Sequence, residues 1–191
     1  IGINRPIRCT INPEVPNGDV YKKRRITKPC NVVVVGGGTA GMEAACTAAE
    51  VGCTTFLIEK KPNLGGLAAE ISKIPDKKRL SDFPNYMVHR TNKLRNLFAF
   101  TNMEADVDFI RSLKPDMIVN ATGSSPLLPP IAGLHENIDK EGGKVSSILN
   151  MIDHVQEYPQ DLTGKKVVVI GGGAVGLDVV EFFAPRGADV S

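Results

Sequence analysis

The sequence contains no tryptophan, only 5% aromatic residues and no large excess of either charge. Its 23 Lys and Arg residues against 21 Asp and Glu residues leave a net charge of +2. That balance argues against a nucleic-acid binder that relies on bulk electrostatics. The sequence also lacks an unbroken run of about 18 apolar residues, so no membrane-spanning segment is predicted. No basic stretch followed by an apolar one opens the sequence, so no secretory signal is predicted either.

Cysteine is scarce as well, and the four residues Cys9, Cys30, Cys46 and Cys53 include no C-x-x-C pair. Spread over 191 residues, they are typical of reduced thiols rather than of a disulfide framework, which favours a cytoplasmic location. We expect the last three of them to be small buried side chains near a sheet. The length predicts one full domain and part of another.

Glycine is abundant, with 19 residues, several of them in two short runs. The first run, Gly36-Gly37-Gly38-Thr39-Ala40-Gly41, follows a β-branched segment at 31–35 that predicts a buried parallel strand. Small apolar residues at 41–51 then predict a helix, and TTFLI at 54–58 predicts a second strand. In such a G-x-G-x-x-G turn the glycines allow a tight turn, backbone approach to a diphosphate and close helix packing. The helix N-terminus supplies amides for an anion.

An acidic residue closes the second predicted strand at the spacing that a dinucleotide fold requires. Glu59 lies 18 residues after Gly41 and directly follows Ile58. A carboxylate at this point binds ribose hydroxyls, and its presence instead of Arg favours a free 2′-hydroxyl, hence FAD or NAD rather than NADP. The alternative is a glycine turn that serves only helix packing, and this alternative does not explain the acidic residue.

The second glycine run repeats the pattern about 135 residues later. Gly171, Gly173 and Gly176 follow a predicted strand at 167–170 and precede a predicted helix at 177–184, with another strand beginning at Asp189. The repeat indicates a second nucleotide-binding unit of which this sequence includes only the start. No ribose-binding acid is identified for it.

Two further segments place small residues where backbone has to approach a ligand. Gly65 and Gly66 lie shortly after Glu59, and the run from Asp116 to Pro126 contains a predicted strand at 117–119 that leads to Ala-Thr-Gly at 121–123. Between them the pattern predicts a helix at 79–95 interrupted by Pro84, a helix at 106–113, and later a polar connector at 133–143.

Together these motifs resemble the flavoproteins with two dinucleotide-binding domains. The resemblance implies an α/β fold, a Rossmann-like parallel sheet in truncated form, with residues 30–150 as the first segment of an FAD-binding domain and residues 151–191 as the start of an NADH-binding domain. Residues 1–29 would be the linker that leads from a missing N-terminal barrel and iron–sulfur region to the FAD-binding domain. The predicted cofactor-binding residues are Gly36, Gly38, Thr39, Ala40, Gly41, Glu59, Lys60, Gly65, Gly66, Leu67, Ala121, Thr122, Gly123, Gly171, Gly173 and Gly176.

The segment RCTINPE at 8–14 narrows the resemblance to the 2,4-dienoyl-CoA reductase and 2-enoate reductase branch, to which trimethylamine dehydrogenase is related. The branch implies an upstream FMN-bearing barrel and a [4Fe–4S] cluster, for which Cys9 would be the fourth ligand in the complete protein. Leu67 departs from the branch, which often has a polar residue there. The absence of a C-x(4)-C pair after the first glycine run excludes a glutathione reductase-like enzyme.

The resemblance implies that the full-length enzyme passes hydride from NADH to FAD, and electrons through the cluster to FMN, to reduce an activated C=C bond of an enoate or enoyl thioester. The fragment alone is expected to be inactive, and no catalytic residue is nominated. The alternatives are an electron-transfer protein like the glutamate synthase small subunit, suggested by IPDKK at 74–78, and a non-catalytic ADP-binding module. Expected partners are the nucleotide cofactors and the barrel, without nucleic acid or membrane; the sequence is compatible with an oligomer.

Overall fold

The computed structural model describes residues 9, 15, 18 and 22–191, which form two compact units. The first unit extends through Ser72 and resumes at Lys78–Leu127, and the second comprises Lys73–Lys77 and Leu128–Ser191. Residues 128–150, assigned from the sequence to the FAD-binding domain, are thus part of the second compact unit. Within residues 22–191 no helix combines the length and the hydropathy needed to cross a bilayer.

The first unit is an α/β fold built on a four-stranded parallel sheet. Its strands are β1 (Asn31–Val35), β2 (Thr54–Ile58), β3 (Leu97–Phe100) and β4 (Met117–Asn120), in the spatial order β3-β2-β1-β4. The central register places Val33 opposite Phe56 on one side and Ile118 on the other. Such β-branched and aromatic residues favour the extended strand conformation. This confirms the predicted Rossmann-like sheet.

Small residues on helix α1 (Thr39–Val51) allow it to pack tightly on this sheet. Cys46 and Met42 are fully buried against Val34 and Leu57, and the helix ends at Gly52 with a left-handed φ of 110°. Burial of Cys46 and Cys53 confirms their expected role as small core side chains, whereas Cys30 is only half-buried. The other helices of this unit are α2 (Gly66–Ile71), α3 (Asp82–Lys93) and α4 (Val107–Ser112).

Pro84 does not interrupt a helix, contrary to the sequence prediction for 79–95. A 3-10 helix at Pro75–Ser81 comes first, and Pro84 lies buried in the first turn of α3. A proline is tolerated there because the first amides of a helix have no intrahelical acceptor.

An ion-pair network joins α1 to α3. Arg90 donates to Glu43 at 2.6 Å and to Glu50 at 2.6 and 2.8 Å, and Lys23 also contacts Glu50. Hydrogen bonds from Arg90 lower the pKa of Glu50 to about 2 and outweigh the opposing effect of its burial. The network therefore fixes the helix that carries the first glycine run.

The second unit contains a two-stranded parallel pair, β5 (Lys166–Val167) and β6 (Asp189–Val190), and helices α5 (Leu134–Asn137), α6 (Ile148–Asp153) and α7 (Ala174–Phe183). Of the predicted strand at 167–170, only Val167 lies in β5. The pairing with the neighbouring segment continues, because the Val169 amide donates to the Ser191 carbonyl at 2.8 Å. The predicted connector at 133–143 contains α5.

Candidate functional site

The first glycine loop (residues 36–41) is a tight turn between β1 and α1. Gly36 has a φ of 104°, a conformation that side chains rarely adopt, and its amide donates to the Ile58 carbonyl at 2.8 Å. A Cβ at Gly41 would overlap the Gly36 carbonyl oxygen. These two positions therefore require glycine for turn geometry and helix packing, as the sequence predicts.

The N-terminus of α1 opens beside Gly38, which caps the helix in an extended conformation without a side-chain hydrogen bond. A Cβ at Gly38 would meet only the Gly66 Cα, at 3.9 Å, so backbone can be approached closely here. Thr39 is half-buried and Ala40 exposed, and the first turn has no acidic residue. The first-turn amides have no acceptor within the helix, so the end can receive an anion such as a diphosphate.

Glu59 lies directly against this loop. Glu59 is buried, with only 8% of the residue exposed. One carboxylate oxygen accepts a hydrogen bond from the Gly37 amide at 2.6 Å, and the other accepts one from the Lys61 amide at 2.7 Å. Charge-assisted hydrogen bonds of this length are stronger than neutral ones. Two such bonds fix the orientation of the carboxylate, and its remaining lone pairs can accept hydroxyl donors.

Gly37 was not among the residues singled out from the sequence, yet it determines how closely Glu59 approaches. A Cβ at Gly37 would be 2.5 Å from Leu64 Cδ2, 2.9 Å from Glu59 Cβ and 3.0 Å from Glu59 Oε2. Its φ is not left-handed, so the requirement for glycine comes from contact and not from backbone conformation. The pattern G-G-G in place of G-x-G was the available signal.

A second backbone segment packs on the loop at Gly65 and Gly66. The Gly65 amide donates to the Gly37 carbonyl at 2.9 Å, and a Cβ at Gly66 would lie 2.7 Å from the Gly38 Cα. Both residues have left-handed φ values, 120° and 57°. The segment thus supports the loop, while its direct contact with a cofactor stays a prediction. Leu67 is 51% exposed.

The Ala-Thr-Gly segment at 121–123 directly follows β4 and lies beside the same loop. The Ala121 amide donates to the Val35 carbonyl at 2.8 Å, and the Ala121 carbonyl blocks any Cβ at Gly36. Thr122 bonds to the Asn120 side chain through both its amide and its hydroxyl, and Gly123 has a φ of 83° with open space around it. Thr122, Gly123 and Lys60 are exposed, so all are available to a ligand.

The second glycine loop (residues 171–176) reproduces the turn geometry of the first within its own unit. Gly171 has a φ of 120°, Gly173 caps α7, and a Cβ at Gly176 would overlap the Gly171 carbonyl oxygen. Gly171, Gly172 and Gly173 have no atom within 4 Å of an added Cβ. In the described part of this unit, the second loop therefore has none of the closing contacts that Glu59, Leu64 and Ala121 make to the first.

Cys9 is exposed, and the residues around it at 1–8 and 10–14 lie outside the described part of the chain. Among described residues, no group of three or more His, Cys, Asp or Glu side chains is arranged to hold a metal ion. Cluster ligation by Cys9 stays a prediction.

Comparison with known proteins places the chain in a family. The family model for pyridine nucleotide-disulphide oxidoreductases matches residues 31–191. The chain is 35% identical to an NADH oxidase of Thermoanaerobacter brockii over 98% of its length, and 33% identical to a bilirubin reductase of Mediterraneibacter gnavus over 97%. It covers only 28% and 27% of those proteins.

Solved structures give the same picture. A 2-naphthoyl-CoA reductase structure superposes with a TM-score of 0.79 at 29% identity, covering 96% of this chain and 26% of that one. A histamine dehydrogenase from Rhizobium sp. 4-9 shares the fold, with a TM-score of 0.73 at 24% identity over 88% of this chain and 26% of that one. The chain spans about a quarter of the length of these relatives. With both glycine loops inside the matched region, the chain belongs to the pyridine nucleotide-disulphide oxidoreductase family.

Proposed function

We propose that this chain is the FAD-binding region, with the start of the NADH-binding unit, of an NADH-dependent flavin oxidoreductase that reduces an activated C=C bond. Family membership implies FAD and NAD(H) as cofactors and an oxidoreductase activity. The observation that carries the proposal is the closure of Glu59 on Gly37, which holds a carboxylate beside the open N-terminus of α1.

The residues of the first glycine loop fit the ADP half of FAD. The first-turn amides at Thr39 and Ala40 would hold the diphosphate, with Gly38 leaving room for its oxygens. Glu59 would accept the ribose hydroxyls, since both its oxygens are already oriented by backbone amides. Bound flavin supplies the hydride-accepting chemistry, and the protein supplies binding and orientation.

Three relatives favour reduction of a C=C bond over reduction of a disulfide. They are named as bilirubin, cinnamate and 2-naphthoyl-CoA reductases, and cinnamate is an α,β-unsaturated carboxylate. The helix that follows Gly65, α2 (Gly66–Ile71), contains no cysteine, and no C-x(4)-C pair occurs in the chain. FMN and a [4Fe–4S] cluster, with Cys9 as one ligand, complete the proposal for the full-length protein. Three reduced thiols, Cys30, Cys46 and Cys53, support a cytoplasmic location.

The other two interpretations predict different cofactor contents. The interpretation as a protein like the glutamate synthase small subunit depends on the segment at 74–78. In that segment Lys77 Nζ donates a hydrogen bond to Asp178 of α7 at 2.7 Å. That contact anchors the segment in the second unit and needs no cofactor. A non-catalytic module would retain ADP and no flavin.

The test is the cofactor content of the intact protein, measured by absorbance, by chromatography of released nucleotides and by iron analysis. We expect FAD and FMN, iron at about four atoms per chain, and flavin bleaching by NADH. FAD without FMN or iron would contradict the enoate-reductase part, and ADP without flavin would contradict the flavoenzyme.

Glu59→Gln provides a residue-level test. An amide has one acceptor oxygen, so either the Gly37 or the Lys61 amide would face an NH₂ group. A ribose hydroxyl would then donate to a neutral amide oxygen instead of a carboxylate. Loss of one charge-assisted hydrogen bond costs about 1.5–3 kcal/mol, so FAD affinity should fall roughly 10- to 100-fold. Glu141→Gln, the same substitution at an exposed position of the second unit, should leave FAD affinity unchanged. Equal affinities in the two variants would refute the role of Glu59.

A further inference from the structure

Two cysteines lie side by side where strands β1 and β2 begin. Asn31 pairs with Thr54 in register, and Cys30 and Cys53 immediately precede this pair. The ladder includes them, because the Thr54 amide donates to the Cys30 carbonyl at 2.9 Å. Both side chains pack on the same apolar cluster beneath α1. The register therefore brings two thiols together that are far apart in the sequence.

The two cysteines are cross-strand neighbours at the start of β1 and β2. Burial and, after it, the neighbouring Cys30 side chain raise the pKa of Cys53. Neighbouring strands lie about 4.8 Å apart, inside the roughly 4.4–6.8 Å Cα separation that a disulfide spans. Cys53 is 5% exposed, whereas Cys30 is half-buried and is the more accessible of the two.

The third described core thiol does not compete for this pairing. Cys46 is fully buried within α1, and its sulfur lies 3.4 Å from the hydroxyl of Thr91, with which it forms a hydrogen bond. Thr91 in turn donates to the Met87 carbonyl at 2.9 Å, which fixes it in α3. Cys30 therefore has one neighbouring thiol partner among these core cysteines, and that partner is Cys53.

We propose that Cys30 and Cys53 are a thiol-modification site that forms a reversible disulfide with a low-molecular-weight disulfide, such as oxidised glutathione, as the oxidant. The Cys30 thiolate attacks one sulfur of the oxidant, breaks its S–S bond and releases one glutathione thiolate. The Cys53 thiolate then attacks Cys30 of the mixed disulfide and releases the second. Two protein thiols are oxidised, one oxidant disulfide is reduced to two thiols, and the two protons pass to the released thiolates.

The bond would close a loop over residues 30–53, which contains β1, the first glycine loop and α1. Closing a loop stabilises a fold chiefly by restricting the unfolded chain. Oxidation should therefore raise the midpoint temperature (Tm) at which the protein unfolds. This inference concerns the thiols alone and does not depend on the proposed function.

The experiment is a disulfide map of the intact protein after incubation with oxidised glutathione, with remaining thiols alkylated. Trypsin leaves Cys30, Cys46 and Cys53 in one peptide, because no Arg or Lys lies between them. A protease that cleaves after glutamate separates them at Glu43 and Glu50. We expect the Cys30 peptide to be linked to the peptide Val51–Glu59, the linked pair being about 2 Da lighter than the sum of its two reduced peptides.

Three variants test the assignment. Cys46→Ala should retain the link, while Cys30→Ser and Cys53→Ser should each abolish it and abolish the rise in Tm on oxidation. A stable glutathione adduct on Cys30 without closure, a link from Cys30 to Cys46 or Cys9, or full alkylation of both thiols after oxidation would each overturn the proposal. Because mapping reads covalent state directly, the result holds whether or not the variants bind flavin.

Discussion

Gly37 provides the sharpest prediction of the site geometry, because a single methyl group would disturb the contact between the first glycine loop and Glu59. In Gly37→Ala the new Cβ would meet Leu64 Cδ2 at 2.5 Å and Glu59 Cβ at 2.9 Å. The Leu64 methyl can rotate away, but the Glu59 Cβ cannot, because Glu59 directly follows β2 and its amide donates to the Phe100 carbonyl at 2.8 Å. We therefore expect the carboxylate to withdraw from the Gly37 amide.

The magnitude follows from two contributions. Overpacking of a closed site costs about 1–3 kcal/mol, and loss of a charge-assisted hydrogen bond costs about 1.5–3 kcal/mol. With partial relaxation of Leu64 we expect about 3 kcal/mol in FAD binding, roughly a hundredfold in affinity. The assay is titration of the flavin-free intact protein with FAD, followed by flavin fluorescence.

Gly172→Ala is the matched control. Gly172 holds the same position in the second glycine loop, its φ is also not left-handed, and no atom lies within 4 Å of an added Cβ. We expect its FAD affinity to change by less than about twofold, because the second glycine loop is not part of the proposed FAD site. Equal losses in both variants, or wild-type affinity in Gly37→Ala, would refute the reasoning.

Further predictions concern stability. Gly66→Ala and Gly142→Ala both place alanine at a left-handed φ (57° and 68°), but only Gly66 faces a neighbour, the Gly38 Cα at 2.7 Å. In denaturant titrations we expect the free energy of unfolding to fall by about 1 kcal/mol in Gly142→Ala and by about 3 kcal/mol in Gly66→Ala. In FAD titrations we expect weaker binding in Gly66→Ala alone. Equal costs would show that Gly66 contributes only backbone strain. Because the pKa of folded Glu50 is about 2, below its usual 4.5, its stabilisation is present above pH 4.5 and lost as the pH falls toward 2. The stability difference between wild type and Glu50→Gln should therefore shrink over that range, starting from about 1 kcal/mol; a difference independent of pH would contradict the ion-pair network.

The features that depend on local pattern could be predicted from the sequence. The β-branched run of β1, the glycine spacing and Glu59 at the end of β2 all follow from strand and helix periodicity, and the structure brings Glu59 to the first glycine loop. What could not be predicted depends on side-chain packing or on register. Gly37 is constrained through Leu64, which no spacing rule places there.

Pro84 and the Cys30–Cys53 pair show the same limit. The effect of a proline depends on where its helix begins, and α3 begins at Asp82, two residues earlier. The two cysteines are close because of the register between β1 and β2. The spacing of cysteines along the sequence does not reveal that register.

The most direct test is a crystal structure of the intact protein with FAD bound. The account predicts diphosphate oxygens within about 3 Å of the first-turn amides of α1 at Thr39 and Ala40, and a Glu59 oxygen within hydrogen-bonding distance of an adenosine ribose hydroxyl. An adenosine diphosphate half bound elsewhere, with Glu59 still closed on Gly37 and Lys61 and touching no ligand, would contradict it.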